Sequence, residues 1–240
     1  MRDRLKITGA SLVILLGACG AAEQGQNREE VMVQPDEFAL RPCASVHQSP
    51  CALVVAGGKR ILFGAPAGVA QSQSSADLSQ LDAMVVFSLT ARDLEGVDEV
   101  RNVSWHAGRT EPLLVIGPTG IEDVVTALNK AFEQSDALYV VEHGIPAGGY
   151  DAAILTARVA QRESLVFDTG DLSVTRADYG YRIAYRADGK TSVVALQECQ
   201  AEDEQVVPDP TVERHVTIAC AGDAGDHSWP LRETVFIVKN

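Results

Sequence analysis

The sequence predicts an α/β sandwich. Short apolar runs alternate with turns along most of the chain, strands recur in both halves, and one clear amphipathic helix interrupts them near the middle. No shift in composition divides the body and no internal repeat stands out, so the 240 residues hold one sizeable domain after a leader. Hydrophobic residues at 46% and charged residues at 22% exclude wholesale disorder.

The first segment reads as an address. Arg2, Arg4 and Lys6 precede an apolar run, Ile7 to Leu16, that is too short to span a bilayer and fits a signal-peptide core. The run ends in Leu16-Gly17-Ala18-Cys19, which resembles a bacterial lipobox, with Cys19 as the lipidated first residue of the mature chain. The alternative is an ordinary signal peptide that happens to contain Cys. On the lipoprotein reading, residues 1–18 are removed, residues 19–36 form a lipidated Cys and flexible polar tether, and residues 37–240 form the domain. Palmitate-type acylation then anchors the protein in the bacterial cell envelope. Gly20, where an Asp would favour inner-membrane retention, points to the periplasmic face of the outer membrane.

In the body, Ala52–Ala56 and Arg60–Phe63 read as strands around a Gly57-Gly58 hairpin turn. Ser74–Leu81 reads as a short helix. Met84–Phe87 and Leu113–Ile116 are continuous apolar runs, as in strands buried on both faces. After Gly117-Pro118-Thr119-Gly120, a helix is predicted with Thr119 and Glu122 as capping box and Ile121, Val125, Leu128 and Phe132 on one face. Ala137–Val141 then reads as a strand, and Tyr150–Gln161 as a helix. Leu165–Phe167, Leu172–Thr175, Tyr181–Arg186 and Thr191–Leu196 follow as strands, with Asp188-Gly189 turning the last pair. His215–Cys220 and Thr234–Val238 complete the set.

Twenty Lys and Arg against 33 Asp and Glu give a net charge of −13. An acidic surface repels phosphate backbones, and aromatics at only 5% offer few stacking platforms, so no nucleic-acid partner is expected. Export favours disulfides. Cys43, Cys51, Cys199 and Cys220 allow three pairings; Cys43–Cys51 and Cys199–Cys220 each flank a strand-turn-strand unit and are favoured over buried free thiols. None lies in a CxxC arrangement, so a redox site or zinc ribbon is not suggested.

Several segments in order carry a family resemblance. Gly57 to Gly68 resembles the early hairpin of the metallo-β-lactamase superfamily, and Leu81 to Phe87 the strand that leads into its metal loop. Trp105, Gly108-Arg109-Thr110, Pro112-Leu113 and Gly117-Pro118-Thr119-Gly120 resemble the ribonuclease Z and arylsulfatase branch. Asp168 to Val174 and Gly180 to Ile183 resemble its second half. The resemblance runs from about Ala39 to the C-terminus. It implies an αββα sandwich with its active site at one edge between two similar halves.

That family's chemistry needs a His-x-His-x-Asp-His loop around two metal ions, which lower the pKa of a bridging water. The resemblance places Ser88, Thr90, Arg92 and Asp93 at those four positions. Hydroxyls are poor zinc ligands, and Arg92 sets a permanent cation where a carboxylate belongs. The segment that should bring a later His is shortened to Val174–Gly180. The bridging Gly-Asp-Thr appears as Gln197-Glu198-Cys199, leaving Glu198 as its carboxylate. His47, His106, His143, His215 and His227 are too dispersed to replace the set.

His106 and His143 remain as cleft candidates. Arg92 is expected to pair with Glu198 or Asp93 and so fill the void of the metals. Together these readings imply a metal-free pseudoenzyme that binds a small ligand or an envelope protein, without catalytic residues or cofactor. The alternative is a divergent hydrolase of phosphodiesters, sulfates or lactones that uses Asp93, Glu198 and His106 or His143 around a single metal, zinc, or none.

Overall fold

The computed structural model describes residues 33–43, 49–199 and 212–239. The expected leader, Cys19, most of the expected tether and His47 lie outside the described residues. The strands are β1 (Phe38–Pro42), β2 (Ala52–Ala56), β3 (Lys59–Phe63), β4 (Ala83–Val85), β5 (Leu113–Gly117), β6 (Leu155–Val159), β7 (Leu165–Asp168), β8 (Leu172–Ala177), β9 (Gly180–Ala187), β10 (Lys190–Gln197), β11 (Arg214–Ala219), β12 (His227–Ser228) and β13 (Val235–Val238). The helices are α1 (Ser75–Ser79), α2 (Ala91–Leu94), α3 (Val97–His106) and α4 (Ile121–His143).

Two sheets form. One has the order β13-β1-β2-β3-β4-β5-β6, the other β12-β11-β10-β9-β8-β7. Their inner faces meet through Phe38, Val54, Ile61, Phe63 and Val85 on one side and Val174, Tyr181, Ile183, Val194 and Ile218 on the other. Successive side chains on a strand point to opposite faces. Leu53, Val55, Leu62, Met84 and Val115 therefore face outward, where Leu78, Val97, Val100, Ile121 and Val125 of the helices cover them. This explains the continuous apolar runs: the central strands of the first sheet are buried on both faces.

The fold class is α/β with two packed sheets, as the sequence predicts. Among the described residues the four α-helices all fall between β3 and β6, and no helix follows β6. The outward positions of the second sheet mix polar Ser173, Thr175, Arg182, Thr191 and Thr217 with the buried Val193 and Ala195. Among those residues no helix is long and apolar enough to cross a membrane.

Most strands lie where the sequence puts them, and so do both hairpin turns. Asp188 and Gly189 take φ of 50° and 73°, the left-handed pair of a type I′ turn. The disulfides are Cys43–Cys51 and Cys199–Cys220. Three readings are corrected. Ala137–Val141 is not a strand but the last part of α4, which runs unbroken for 23 residues. Tyr150–Gln161 is not a helix; after a 3-10 turn at Asp151–Ala153 it forms β6, whose ladder with β5 completes a parallel crossover. The capping box does not form, because Gly120 caps α4 at φ 102° with no side-chain bond. β1, α2, α3 and β12 are not legible in the sequence reading.

Candidate functional site

β3, β4 and β5 run parallel, so the loops after them gather at one end of the sandwich. Val86, Phe87 and Ser88 leave β4 there. From the facing sheet, Arg176 near the end of β8 and Glu198 after β10 reach the same edge. The Tyr181 hydroxyl spans the two sheets, donating to the Val86 carbonyl at 3.3 Å. The Phe87 ring meets Tyr181 at 5.6 Å and Trp229 at 6.3 Å, both edge-on, and Trp229 Nε1 donates to the Gln197 carbonyl at 2.9 Å. Aromatic packing thus fixes the floor beneath the polar groups.

The structure brings most of the sequence-predicted positions together. Ser88 Oγ donates to Asp93 Oδ2 at 2.6 Å and lies 2.8 Å from Thr90 Oγ1. The Thr90 amide donates to Ser88 Oγ at 3.2 Å. Burial pushes the Asp93 carboxyl above its usual range; hydrogen bonds from Ser88 oppose this, and the nearby Glu198 charge adds to it.

Arg92 departs from expectation. It is exposed on α2, and the ion pair expected of it is made by Arg176, whose Nη2 donates to Glu198 Oε2 at 2.7 Å. Arg176 also lies over the Tyr181 ring, 4.9 Å from its centroid, and its Nη1 is buried without a hydrogen-bond partner. Arg176 falls within the segment Val174–Gly180, where the resemblance expects a metal-binding His. One signal pointed to it. Leu172 and Val174 face the core, so Arg176 continues the inward phase of β8, and a charge on that phase at a strand end needs a partner.

The metal pair that the family resemblance implies would need these donors. Ser88 and Thr90 offer hydroxyls, one Asp93 oxygen accepts from Ser88, and one Glu198 oxygen is held by a guanidinium. Among the described residues no group of three or more His, Cys, Asp or Glu is arranged to hold a metal ion. The residues do not fit a zinc site.

His106 and His143 come together elsewhere, on the outer helices. They flank Tyr139: the His106 ring stacks on it at 3.7 Å and the His143 ring at 4.6 Å. Burial holds the His106 imidazole below its usual range, Asp136 opposes this, and Arg101 and His143 add to it. Their ring contacts are with Trp105 of α3 and Tyr139 of α4, not with the Ser88–Asp93 group. His227 sits in β12, and the neighbouring Asp226 accepts from the Thr217 amide at 2.8 Å. At the end of the sandwich opposite the Ser88–Glu198 edge, a cavity of about 470 Å³ opens among Asp36, Tyr185, Lys190, Ser192, Arg214 and Ile237. It contains none of the sequence-predicted site residues.

Asp93 gives this edge a pH signature. The unfolded chain ionises Asp93 at its ordinary value, whereas the folded chain keeps the proton to higher pH. Between the two values the native state binds more protons, so stability falls as pH rises through that window. Asp93→Asn removes the titration. Its Tm relative to the parent is expected to climb through the window and then level off, measured from about pH 3 to 7. A difference that stays flat with pH would count against a raised Asp93.

No protein-family profile and no curated protein sequence matches the chain. Among solved structures, it is similar to the metallo-β-lactamase fold protein YhfI from Bacillus subtilis, with 11% identity over 68% of this chain and 65% of that one, at a TM-score of 0.45. It is similar to the short form of human tRNase Z, with 10% identity over 66% and 67%, at 0.43. It is also similar to a metallo-β-lactamase with the HARLDQ motif from Cronobacter sakazakii, with 11% identity over 70% and 64%, at 0.38. The chain thus spans 64% to 67% of the length of these proteins.

Proposed function

We propose that this chain is a lipid-anchored binding module of the bacterial envelope, built on a metallo-β-lactamase-like fold whose metal edge has become an ion-paired recognition edge. The observation that carries the reading is the Arg176–Glu198 pair, 2.7 Å long, with both side chains mostly buried. A guanidinium is a fixed cation that satisfies a carboxylate without metal. Beside it, the Ser88–Thr90–Asp93 network ties up the other oxygens. The edge retains one unpartnered buried donor, Arg176 Nη1, and so suits a small polar ligand with a hydrogen-bond acceptor, or a protein loop that presents one.

Metal analysis of the full chain, purified without chelator and then challenged with zinc, tests this. Less than about a tenth of an equivalent is expected; one or two tightly held equivalents would overturn the reading. The raised Asp93 carboxyl near Glu198 favours a second reading, hydrolysis by acid–base catalysis. Turnover of generic phosphodiester, sulfate or lactone substrates that is lost in both Asp93→Asn and Glu198→Gln would carry it.

A further inference from the structure

The end of the fold opposite the Ser88–Glu198 edge carries an unpartnered apolar surface. α4 starts beside the C-terminal end of β5 and runs back to the start of β6, since β5 and β6 are parallel with Leu113 opposite Leu155. The registers carry this level across the sheet. Leu114 lies opposite Ala83, Ala83 opposite Ile61, Lys59 opposite Ala56, and Ala56 opposite Phe38. The last turns of α4 and the first residue of β1 therefore lie at the same end of the sheet.

At that end Leu138 is 59%, Val141 82% and Ile145 61% exposed. Leu138 and Val141, three residues apart, share one face of α4, and Ile145 follows in the exit after Gly144. Tyr150, 37% exposed, follows in the exit loop. From Ala137 to Tyr150 the sequence has one carboxylate, Glu142, and no Lys or Arg, in a chain of net charge −13. An apolar, charge-poor patch on an acidic protein is suited to a low-dielectric surface.

We propose that this patch, Leu138, Val141 and Ile145, rests on the lipid bilayer to which Cys19 anchors the chain. The proposal builds on the lipid-anchor reading. Its argument is the place and length of the N-terminal connection. The 14 peptide units from Cys19 to Val33 span at most about 50 Å. The chain enters the fold at β1, at the end that bears the patch. β1 and β6 are five strand spacings apart, about 24 Å. Anchoring therefore holds the patch at high effective concentration beside the membrane. The Ser88–Glu198 edge lies at the other end of the sandwich from this patch, so docking there leaves the edge open to ligand.

The test uses the full lipidated chain in vesicles of phosphatidylethanolamine and phosphatidylglycerol. An environment-sensitive fluorophore is attached at Val141→Cys, at Ile145→Cys and, as a reference at the far end, at the exposed Ala91→Cys. Nitroxide-labelled lipids are expected to quench the first two probes several-fold more than the third, with blue-shifted emission. Acyl mass on Cys19 with all three probes equally unquenched would overturn the docking and leave the anchor intact. Absence of acyl mass would overturn both. Blue-shifted but unquenched probes would mean that protein, a second copy included, covers the patch, and would also overturn lipid docking.

Discussion

Replacing Asp136 with alanine is expected to destabilise the protein by about 3–5 kcal/mol, the cost of leaving a buried charge without its partner. Arg101 on α3 is fully buried, and Asp136 on α4 is 4% exposed. They pair as a fork, with Arg101 Nη1 on Asp136 Oδ1 at 3.0 Å and Nη2 on Oδ2. Phe132 stacks 4.9 Å from the guanidinium carbon. A second guanidinium, Arg109, is buried nearby; its partners are Ser104 Oγ and the Glu111 carbonyl, not a carboxylate. Burial, with the Arg101 charge adding to it, pushes Arg109 down to about 10. Removing Asp136 would thus leave two cations in an apolar layer with no anion between α3 and α4. Arg101→Met with Asp136→Leu removes one cation with the anion and is expected to recover most of the loss. Urea unfolding would show a lower midpoint for the single variant and a near-parental one for the double. A single variant within about 1 kcal/mol of the parent would refute the argument.

The same pair explains why α3 and half of α4 were hidden in the sequence. The apolar face of α4 reads Ile121, Val125, Leu128, Phe132, and the next buried position is Asp136. A charge there ends the apolar period, so the sequence pattern of a helix stops and Ala137–Val141 reads as a strand. The buried face of α3 likewise includes Arg101 and Ser104. Residues buried only because a distant residue pairs with them leave no local pattern. The central strands were legible for the opposite reason, since burial on both faces needs nothing beyond their own apolar runs. At the site, Ser88, Thr90, Asp93 and Glu198 were found through the family resemblance, and the structure gathers Ser88, Thr90 and Asp93 into one network near Glu198. Arg176 was missed because its partner lies 22 residues away, on another strand's exit.

Reduction of both disulfides is expected to lower the melting temperature by about 10–20 °C. Cys43–Cys51 closes a separation of 8 residues and Cys199–Cys220 one of 21. Loop-closure entropy gives about 2.5 kcal/mol for the first and about 3 for the second. A domain of this size shifts by about 2–4 °C per kcal/mol. The two bonds should yield in order. Cys43 and Cys51 are buried, whereas Cys199 is exposed and Cys220 partly so. Mild dithiothreitol should therefore reach Cys199–Cys220 first, and that bond has the closer link to the site. Cys199 directly follows Glu198, and its partner ends the strand beside β10, so the bond ties the Glu198 exit to β11. At this edge the hydrogen bond from Tyr181 to Val86, the Trp229–Gln197 bond and the Arg176–Glu198 pair hold the polar groups in place, and two of them sit within two residues of Cys199. Cys199→Ser with Cys220→Ser is thus expected both to lower the melting temperature and to loosen the Ser88–Glu198 edge, read as faster amide exchange at Val86 and Gln197. Cys43→Ser with Cys51→Ser should cost stability without that local change. Melting unaffected by dithiothreitol, or equal exchange in the two pairs, would refute the clamp.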